Sequence, residues 1–429
     1  MSTTSIEKKR NLKVSKMAET LIGSEIIKLA AEVGEKIKNG EKIYNLTIGD
    51  FNPKIFPIPN ELKAAIIEEY KNDETNYPAA SGMPALINSV AHYLKKRQGL
   101  EFQTDEILIS GGARPLIYAT YQALIDPGDS ILFPVPSWNN NHYSHLSQAN
   151  AIMVETKVEN NFMPTAAELK PHISKAAMVA VCSPLNPTGT TFTKKDLEEI
   201  CDLILEENKR RSENEKPLYL LYDQIYWALT FGNTKHVDPI TLRPEMKNYT
   251  IFIDGISKAF SATGVRVGWA TGPKRVIDKM KAILSHVGAW APKAEQLATA
   301  KFLLNDSAID TFLASFKNQV HERLEAFYKG FIDLKKQGFA VDAITPQAAI
   351  YLTVQFNLHG KKTAEGKILH NTKDVTKYIL DEAKIAIVPF YAFGSSEDSA
   401  WYRLSVGTAS MQDIKGFFEN LKNALEKLS

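Results

Sequence analysis

The sequence predicts an α/β protein with a large domain built on a mostly parallel seven-stranded sheet and a smaller α+β domain after it. Seven short β-rich runs lie between residues 106 and 272, and helical stretches separate several of them. Such alternation is typical of a parallel sheet with helices on both faces. The order changes in the last third of the chain, where a long helical stretch precedes several short strands.

The individual elements follow from local composition. The first helix is predicted over residues 24–40 and ends at Gly40, because glycine commonly caps helices. Helical stretches at 115–125 and 194–211 separate strands of the large domain, which are predicted at 106–110, 130–134, 151–156, 177–182, 217–223, 249–254 and 267–272. The smaller domain is predicted to have helices at about 305–335, 373–383 and from 411, and strands at 349–356, 385–390 and 402–406.

The composition is that of a soluble globular protein with nearly balanced charge. The 429 residues carry a net charge of +2, which gives no electrostatic argument for a nucleic acid or a membrane surface as partner. Cys182 and Cys201 are the two cysteines of the sequence, too few for a disulfide framework, and they fit a reducing compartment. The sequence contains no apolar run of signal-peptide or membrane-span length, so the expected location is the cytoplasm.

Two loops that follow predicted strands contain residues suited to ligand binding. In "SGGARP", Gly111 and Gly112 leave backbone N–H groups accessible at a helix N-terminus, where an anion is favoured. A tight strand-to-helix turn explains the same residues. In "SPLNPTG", two prolines bracket Asn186, and this order favours a functional amide over an ordinary proline-rich turn. Such loops lie at the carboxyl ends of parallel strands, where these sheets bind ligands.

Charged residues follow or interrupt other strands. Asp223 ends the apolar run "LYLLYD", where a carboxylate needs a hydrogen-bonding or cationic partner, such as a helix N-terminus or a protonated ring nitrogen. Lys258 follows the next strand among small uncharged residues, which favour a lowered pKa and a reactive amine. Arg266 is suited to a phosphate, and Arg403, inside "WYRLSVG", to a carboxylate.

Together these residues indicate a ligand with a phosphate, a basic ring nitrogen and a carbonyl that condenses with lysine, as in pyridoxal 5′-phosphate. The sequence resembles the class I/II pyridoxal-phosphate-dependent aminotransferases of fold type I, in their aspartate-aminotransferase-like branch. The resemblance extends from about Ser15 to the C-terminus through "TIGDFNP", "YPAASGMPAL", "SGGARPLIYATYQALIDPGD", "SPLNPTG", "YDQIY", "SKAFSATGVRVGW" and "YRLSVG". Of these motifs, "NPTG" and the lysine segment "SKAFSATGVRVG" form a highly specific pair.

The resemblance implies a role for each residue around the reacting atoms. Lys258 would bond covalently to the cofactor and, after a substrate displaces it, act as general acid and base between the substrate Cα and cofactor C4′. Asp223 would keep the pyridine nitrogen protonated, so that the ring accepts electrons. Asn186 and Tyr226 would hydrogen-bond the ring hydroxyl oxygen, and Trp138 would stack on the ring.

The resemblance also implies how the anionic groups are bound. Arg403 would clamp the substrate α-carboxylate, with a backbone contact from Gly49 and with Trp138 and Asn186 nearby. Tyr77 matches a tyrosine that reaches the phosphate from the neighbouring subunit, which implies a homodimer. The remaining phosphate-binding positions are Gly112, Ala113, Arg114, Ser257 and Arg266. Ala113 and Arg114 would act mainly through their backbone N–H groups.

The implied activity is transfer of an amino group from an amino acid (aspartate, aromatic or other) to a 2-oxo acid by a ping-pong mechanism. The implied segments are residues 1–48, packing with the small domain, 49–300 for the large cofactor-binding domain and 301–429 for the small domain. Two alternatives keep the fold: a pyridoxal-phosphate-dependent lyase catalysing β-elimination, and a non-catalytic cofactor-binding protein. A metal site at His142 and His145 is a further alternative, although the sequence shows no cluster of nearby Cys or acidic ligands.

Some positions depart from the family pattern. Gly255 replaces a serine that many relatives have, so one hydroxyl to the phosphate is missing; Gln224 replaces a glutamate and is interpreted as a neutral change. Ala113 replaces a lysine of some aspartate-using relatives, and Trp290 favours an apolar or aromatic substrate. Arg114 favours an acidic one, so the sequence leaves the substrate side chain open.

Overall fold

The computed structural model of this chain describes residues 13–21, 23 and 25–429, and the structural statements below concern these residues. The strands are β1 Tyr44–Asn45, β2 Ile107–Ser110, β3 Ser130–Val135, β4 Asn150–Glu155, β5 Ala176–Cys182, β6 Tyr219–Asp223, β7 Thr250–Gly255, β8 Gly268–Thr271, β9 Val341–Ala343, β10 Tyr351–Phe356, β11 Ile385–Ala386, β12 Val388–Pro389 and β13 Trp401–Ser405. The α-helices are α1 Lys16–Thr20, α2 Glu25–Lys38, α3 Asn60–Lys71, α4 Pro84–Gln98, α5 Ala113–Leu124, α6 Asn140–Leu146, α7 Ala166–Leu169, α8 Lys194–Arg210, α9 Pro239–Leu242, α10 Ile256–Ala259, α11 Lys274–Val287, α12 Lys293–Leu303, α13 Asp306–Lys336, α14 Thr372–Glu382 and α15 Met411–Glu426.

A seven-stranded sheet forms the centre of the large domain, which confirms the predicted fold class. Its strand order is β2-β8-β7-β6-β5-β3-β4. β8 pairs antiparallel with both β7 and β2, whereas the other neighbours pair parallel. Because β8 runs antiparallel to the strand on each side of it, β2 runs in the same direction as β7. The carboxyl ends of β2, β3, β5, β6 and β7 therefore meet at one edge of the sheet.

Apolar side chains on both faces bury this sheet between two layers of helices. In β5, Val179 and Val181 join one hydrophobic cluster, whereas Met178 and Ala180 join another. This division follows from the strand repeat, since successive side chains point to opposite faces. A strand buried on both faces needs a continuous apolar run, and "AAMVAVC" provides it.

The C-terminal residues form a four-stranded antiparallel sheet of order β12-β13-β10-β9 with its own core. The long helix α13 joins the two cores, because Ile309 near its start packs in the first and Phe327 and Phe331 pack in the second. The predicted helices near 305–335 and 373–383 correspond to α13 and α14, and the last helix is α15.

The predicted strand at 385–390 is wrong as a single element. β11 pairs parallel with β1, whereas β12 pairs antiparallel with β13 in the four-stranded sheet. The backbone groups of β11 and β12 form hydrogen bonds in different sheets. Their partner strands are far away in the sequence, so local composition does not specify this division.

The helix predicted at 24–40 is observed as α2, with Ser24 outside the described residues. Its Val33 packs against Leu380 and Ala386, so this helix contacts the C-terminal part of the chain. The proposed segment boundaries at 48 and 300 stay predictions. Within the described ranges, no helix has both the length and the apolar composition needed to cross a membrane.

Candidate active site

A cavity of about 650 Å³ lies at the carboxyl edge of the seven-stranded sheet, between it and the C-terminal sheet. Several predicted site residues lie at this cavity because the loops after the parallel strands β3, β5, β6 and β7 are all at this edge of the sheet. The residues predicted from the sequence that line the cavity are Gly49, Ala113, Arg114, Trp138, Asn186, Asp223, Tyr226, Ser257, Lys258, Arg266 and Arg403. Gly112 and Tyr77 lie outside this lining.

Lys258 reaches the cavity from the short helix α10, which directly follows β7. Its Nζ donates a 2.6 Å hydrogen bond to the Gly49 carbonyl oxygen and lies 5.6 Å and 5.7 Å from the ring centres of Phe51 and Tyr226. Burial lowers the pKa of this ammonium to about 8, and the charge of Asp50 partly opposes the shift. The amine is therefore closer to its nucleophilic, neutral form at physiological pH than an ordinary lysine.

This shift predicts the pH dependence of Lys258 reactivity in cofactor-free protein. Because the pKa is lowered, the neutral amine should appear as pH rises through about 8, below the usual lysine value of 10.5. Competitive labelling with an amine-directed reagent, read by peptide mass spectrometry, measures this midpoint, and Lys195, whose side chain is 83% exposed, is the internal reference. A midpoint for Lys258 near 10.5 would contradict the lowered pKa.

Asp223 ends β6 and presents its carboxylate to the cavity. The hydrogen bond that this carboxylate accepts within the described residues comes from the Ile225 backbone N–H, at 3.0 Å. Burial raises its pKa to about 6. The next residue, Gln224, is directed elsewhere, because its amide contacts Gln98 at 3.0 Å and His236 at 3.1 Å. Asp223 can therefore accept a cationic partner from the cavity, and Gln224 takes no part in that contact.

Arg403 comes from β13 and is 2% exposed. Its guanidinium donates to the Asn186 side-chain oxygen at 3.1 Å and to the Thr47 carbonyl oxygen at 2.5 Å. Its Nε has no hydrogen-bond partner among the described residues. The residue also lines the cavity, so its positive charge is suited to an anion there.

Two tyrosines of the cavity lining contact each other, Tyr226 near Lys258 and Tyr351 near Arg403. The Tyr226 and Tyr351 hydroxyl oxygens are 2.6 Å apart. The Arg403 guanidinium carbon lies 4.8 Å from the centre of the Tyr351 ring. Tyr351 therefore contacts both a residue predicted to bind the cofactor and one predicted to bind the substrate.

Arg266 lies beside the N-terminus of α5. Its two terminal nitrogens donate to the Thr263 and Gly111 carbonyl oxygens at 2.7 Å and 2.8 Å. Gly112 has φ of 95°, and a Cβ at this position would overlap the Arg266 guanidinium. Glycine is needed at 112 for both reasons. A fixed arginine next to a helix N-terminus is a favourable setting for a phosphate.

The structure explains why residue 255 is glycine. A Cβ on Gly255 would lie 2.8 Å from both the Gly268 Cα and the Val267 carbonyl oxygen. These backbone atoms belong to the antiparallel pairing of β7 and β8. A serine here would have to displace the neighbouring strand, so the absence of this hydroxyl follows from close strand packing.

Trp138 and Arg114 occupy the wall of the cavity beyond β3 and at the start of α5. The Arg114 guanidinium carbon lies 5.3 Å from the centre of the Trp138 ring, a cation–π distance. Tyr77 is 83% exposed and contacts Trp290, with ring centres 5.4 Å apart. Its predicted contact with a phosphate across a dimer stays a prediction.

Sequence reasoning missed several residues that line the cavity. Asp50 accepts a 2.6 Å hydrogen bond from Thr263 Oγ1, and Tyr351 lies inside an ordinary strand pattern. The apolar side chains Ile26 and Ile27 of α2 add a further wall. The position of Asp50 directly after Gly49 was a usable signal, whereas nothing local distinguishes Tyr351 from a core tyrosine.

The alternative metal site at the histidine pair gains no support. His145 Nε2 lies 2.9 Å from the Met17 carbonyl oxygen of α1. Over residues 13–21, 23 and 25–429, no group of three or more His, Cys, Asp or Glu side chains is arranged to hold a metal ion.

Known proteins similar to this chain share one family. The family described as aminotransferase class I and II matches residues 41–421. An aspartate aminotransferase of Rhizobium meliloti (strain 1021) is 28% identical over 415 residues, covering 95% of this chain and 94% of the relative. A probable aspartate/prephenate aminotransferase of Rickettsia typhi is 30% identical over 376 residues, covering 87% of this chain and 90% of the relative.

The fold leads to the same family. The crystal structure of an aspartate aminotransferase from Rhizobium meliloti has a TM-score of 0.89 at 26% identity, covering 97% of this chain and 100% of that chain. The resemblance drawn from the motifs is thereby confirmed, including the expected fold type I architecture. This chain belongs to the class I and II aminotransferase family.

Proposed function

We propose that this aminotransferase binds pyridoxal 5′-phosphate in the cavity and transfers an amino group from an amino acid to a 2-oxo acid by a ping-pong mechanism. The observation that carries the proposal is the meeting of Lys258, Asp223, Arg266 and Arg403 in one cavity. These are an amine, a carboxylate and two guanidinium groups, contributed by separate strands and loops. Such a set suits one ligand that bears an aldehyde, a basic ring nitrogen and a phosphate, together with a carboxylate substrate.

The donor chemistry of the cavity fits this cofactor. Asp223 is held by a single backbone N–H, and a protonated ring nitrogen beside it would lower the pKa that burial has raised. Arg266 and the N-terminus of α5 are suited to a phosphate. Asn186 and Tyr226 line the same cavity and supply polar groups for the ring hydroxyl.

When bound, the cofactor supplies an electron sink that weakens the bond between the substrate Cα and its hydrogen. The chain's own residues then bind and orient. Arg403, which lines the cavity, would hold the substrate α-carboxylate and so place the Cα near Lys258. Lys258 would take the proton from the substrate Cα as a neutral amine and would return it at the cofactor carbon, which is a general acid–base role.

We extend the proposal to the assembly and its location. Tyr77 is exposed beside Trp290, and we propose that it binds the phosphate of a second copy in a homodimer. The chain has two cysteines, too few for a disulfide framework, which fits a reducing compartment, and we propose the cytoplasm.

We propose dicarboxylic amino acids as the preferred donors. The relatives described above are named for aspartate. In the cavity wall, the Arg114 side chain makes no ion pair or hydrogen bond with any described residue, so its charge is available to a distal carboxylate. Although Ala113 stands where some aspartate-using relatives have a lysine, Arg114 keeps a positive charge in this part of the cavity wall.

A half-reaction panel tests the proposed function. Purified protein loaded with pyridoxal phosphate is mixed with aspartate, asparagine or phenylalanine without an acceptor, and the expected product is the pyridoxamine phosphate form with the matching 2-oxo acid. Aspartate should react faster than its neutral isostere asparagine. Failure of every amino acid to yield the pyridoxamine form would refute the transaminase proposal. A separate arm uses cysteine, whose β thiol can leave; release of sulfide, ammonia and pyruvate there, without the pyridoxamine form, would favour the lyase alternative.

A further inference from the structure

Tyr351 occupies a central position among the site residues although no cofactor or substrate role is proposed for it above. It is 1% exposed, and its ring packs beneath the Arg403 guanidinium at 4.8 Å. Its hydroxyl oxygen lies 2.6 Å from that of Tyr226. A Cβ on Gly49 would lie 2.7 Å from the same hydroxyl, so glycine at 49 lets the tyrosine hydroxyl occupy this place.

The two hydroxyl groups have one proton each, and this limits their arrangement. Within the described residues, neither hydroxyl has another hydrogen-bond partner. If Tyr226 donates its proton to the ring hydroxyl oxygen of the cofactor, as the proposed function requires, its own oxygen can only accept from Tyr351. The order of donation is then from Tyr351 to Tyr226 and from Tyr226 to the ring.

A hydrogen bond accepted by Tyr226 makes its own O–H a stronger donor, because chained hydrogen bonds polarise one another in a low-dielectric interior. A stronger donor stabilises the negative charge on the ring oxygen. A ring oxygen stabilised in this way attracts less strongly the proton on the nitrogen that would join Lys258 to the cofactor. The result is a lower pH at which that nitrogen loses its proton.

We infer that Tyr351 is a positioning residue that orients the Tyr226 hydroxyl and sets the protonation of the lysine–cofactor linkage, while its ring supports the substrate-binding Arg403. The inference rests on the proposed function, because it assigns a task to Tyr226 at the bound cofactor. The hydroxyl and the ring of Tyr351 have separate tasks, and different substitutions can separate them.

The test is an absorbance titration of the cofactor-loaded protein across pH, which reports protonation of the linkage without catalysis. Tyr351→Phe removes only the hydroxyl and is expected to raise the titration midpoint by about 0.4 to 1 pH unit, the equivalent of one hydrogen bond. Tyr351→Leu removes the ring as well, and is expected to raise the amino-acid KM in addition. Tyr351→His keeps a ring N–H donor and is expected to stay closer to the parent midpoint.

Tyr402→Phe is the matched control. Tyr402 is equally buried in the neighbouring strand, and its hydroxyl bonds to Thr376 and Thr372 at 3.3 Å, outside the cavity lining. Its loss should lower stability without moving the titration midpoint. Equal shifts in Tyr351→Phe and Tyr402→Phe, or no shift in Tyr351→Phe, would overturn the inference. If the phenylalanine variant does not fold, the histidine variant decides: a midpoint within about 0.4 pH unit of the parent's supports the inference, and a larger rise overturns it.

Failure of the proposed function gives a different result. If the parent protein forms no pH-dependent absorbance band with pyridoxal phosphate, the cofactor proposal fails and the role of Tyr351 falls with it. If the parent shows the band and half-transamination but Tyr351→Phe titrates as the parent does, only the positioning role is overturned.

Discussion

Replacing Lys258 with alanine is expected to abolish transamination and leave the chain folded. The amine contacts the Gly49 carbonyl, and no other lysine lines the cavity within the described residues. We expect the rate of the half-reaction to fall by about 10⁴-fold or more, because one change removes both a general acid–base group and a covalent nucleophile. Stopped-flow measurement of pyridoxamine phosphate formation checks this result.

The same substitution should not weaken the fold of cofactor-free protein. The pKa of Lys258 is lowered to about 8, so keeping the ammonium charged at pH 7 opposes folding, and alanine removes that cost. Thermal unfolding at pH 7 is expected to give a Tm at or above the parent value. Lys274→Ala, at a 58% exposed side chain on α11, is the control and should keep full activity. Retained turnover in Lys258→Ala would contradict the assignment of this lysine.

Replacing Asp223 is expected to reduce both cofactor affinity and rate. Asp223→Asn keeps the shape and removes the charge, whereas Asp223→Ala removes both. We expect the rate to fall on the order of 10²- to 10³-fold in either variant, the usual effect of deleting one electrostatic contact at a reacting group. Titration of the cofactor-free protein with pyridoxal phosphate measures the affinity, and the half-reaction measures the rate.

The stability of the Asp223 variants distinguishes a functional carboxylate from a structural one. The folded pKa is raised to about 6, above the usual 3.8, so ionisation at pH 7 opposes folding. The cofactor-free asparagine variant is therefore expected to unfold at or above the parent Tm at pH 7. Asp398→Asn, in an exposed loop, is the control and should leave affinity and rate unchanged. A marked loss of stability in Asp223→Asn would favour a structural role instead.

Much of the fold and of the candidate site could be predicted because the relevant signals are local. Each strand of the large sheet is a short apolar run. Several of the loops that follow contain glycine, proline or a charged residue, which are recognisable in the sequence. Asn186, Asp223 and Lys258 follow three successive strands of the sheet order β5-β6-β7, so parallel pairing places them side by side. The rule that parallel strands share a carboxyl edge was sufficient to bring these three together.

Other contacts could not be predicted because they join residues far apart in the chain. The 2.6 Å contact between the hydroxyl groups of Tyr226 and Tyr351 spans 125 residues, and the bond from Arg403 to the Thr47 carbonyl spans 356. A tyrosine in an apolar strand has the same local pattern whether its hydroxyl meets a ligand site or a core. The split of 385–390 between two sheets is of the same kind, since the partner strands decide it.

Short-range composition and the strand repeat specify the α/β class, the strand-end loops and the reactive groups in those loops, so these features can be predicted from the sequence. The places of Asp50, Tyr351 and α2 in the cavity wall, and the need for glycine at 255, become evident only from the folded chain. A lowered pKa of Lys258, a buried guanidinium at Arg403 and the 2.8 Å approach at Gly255 all arise from neighbours that the fold brings together. Local sequence supplies the groups, and their environment comes from long-range packing.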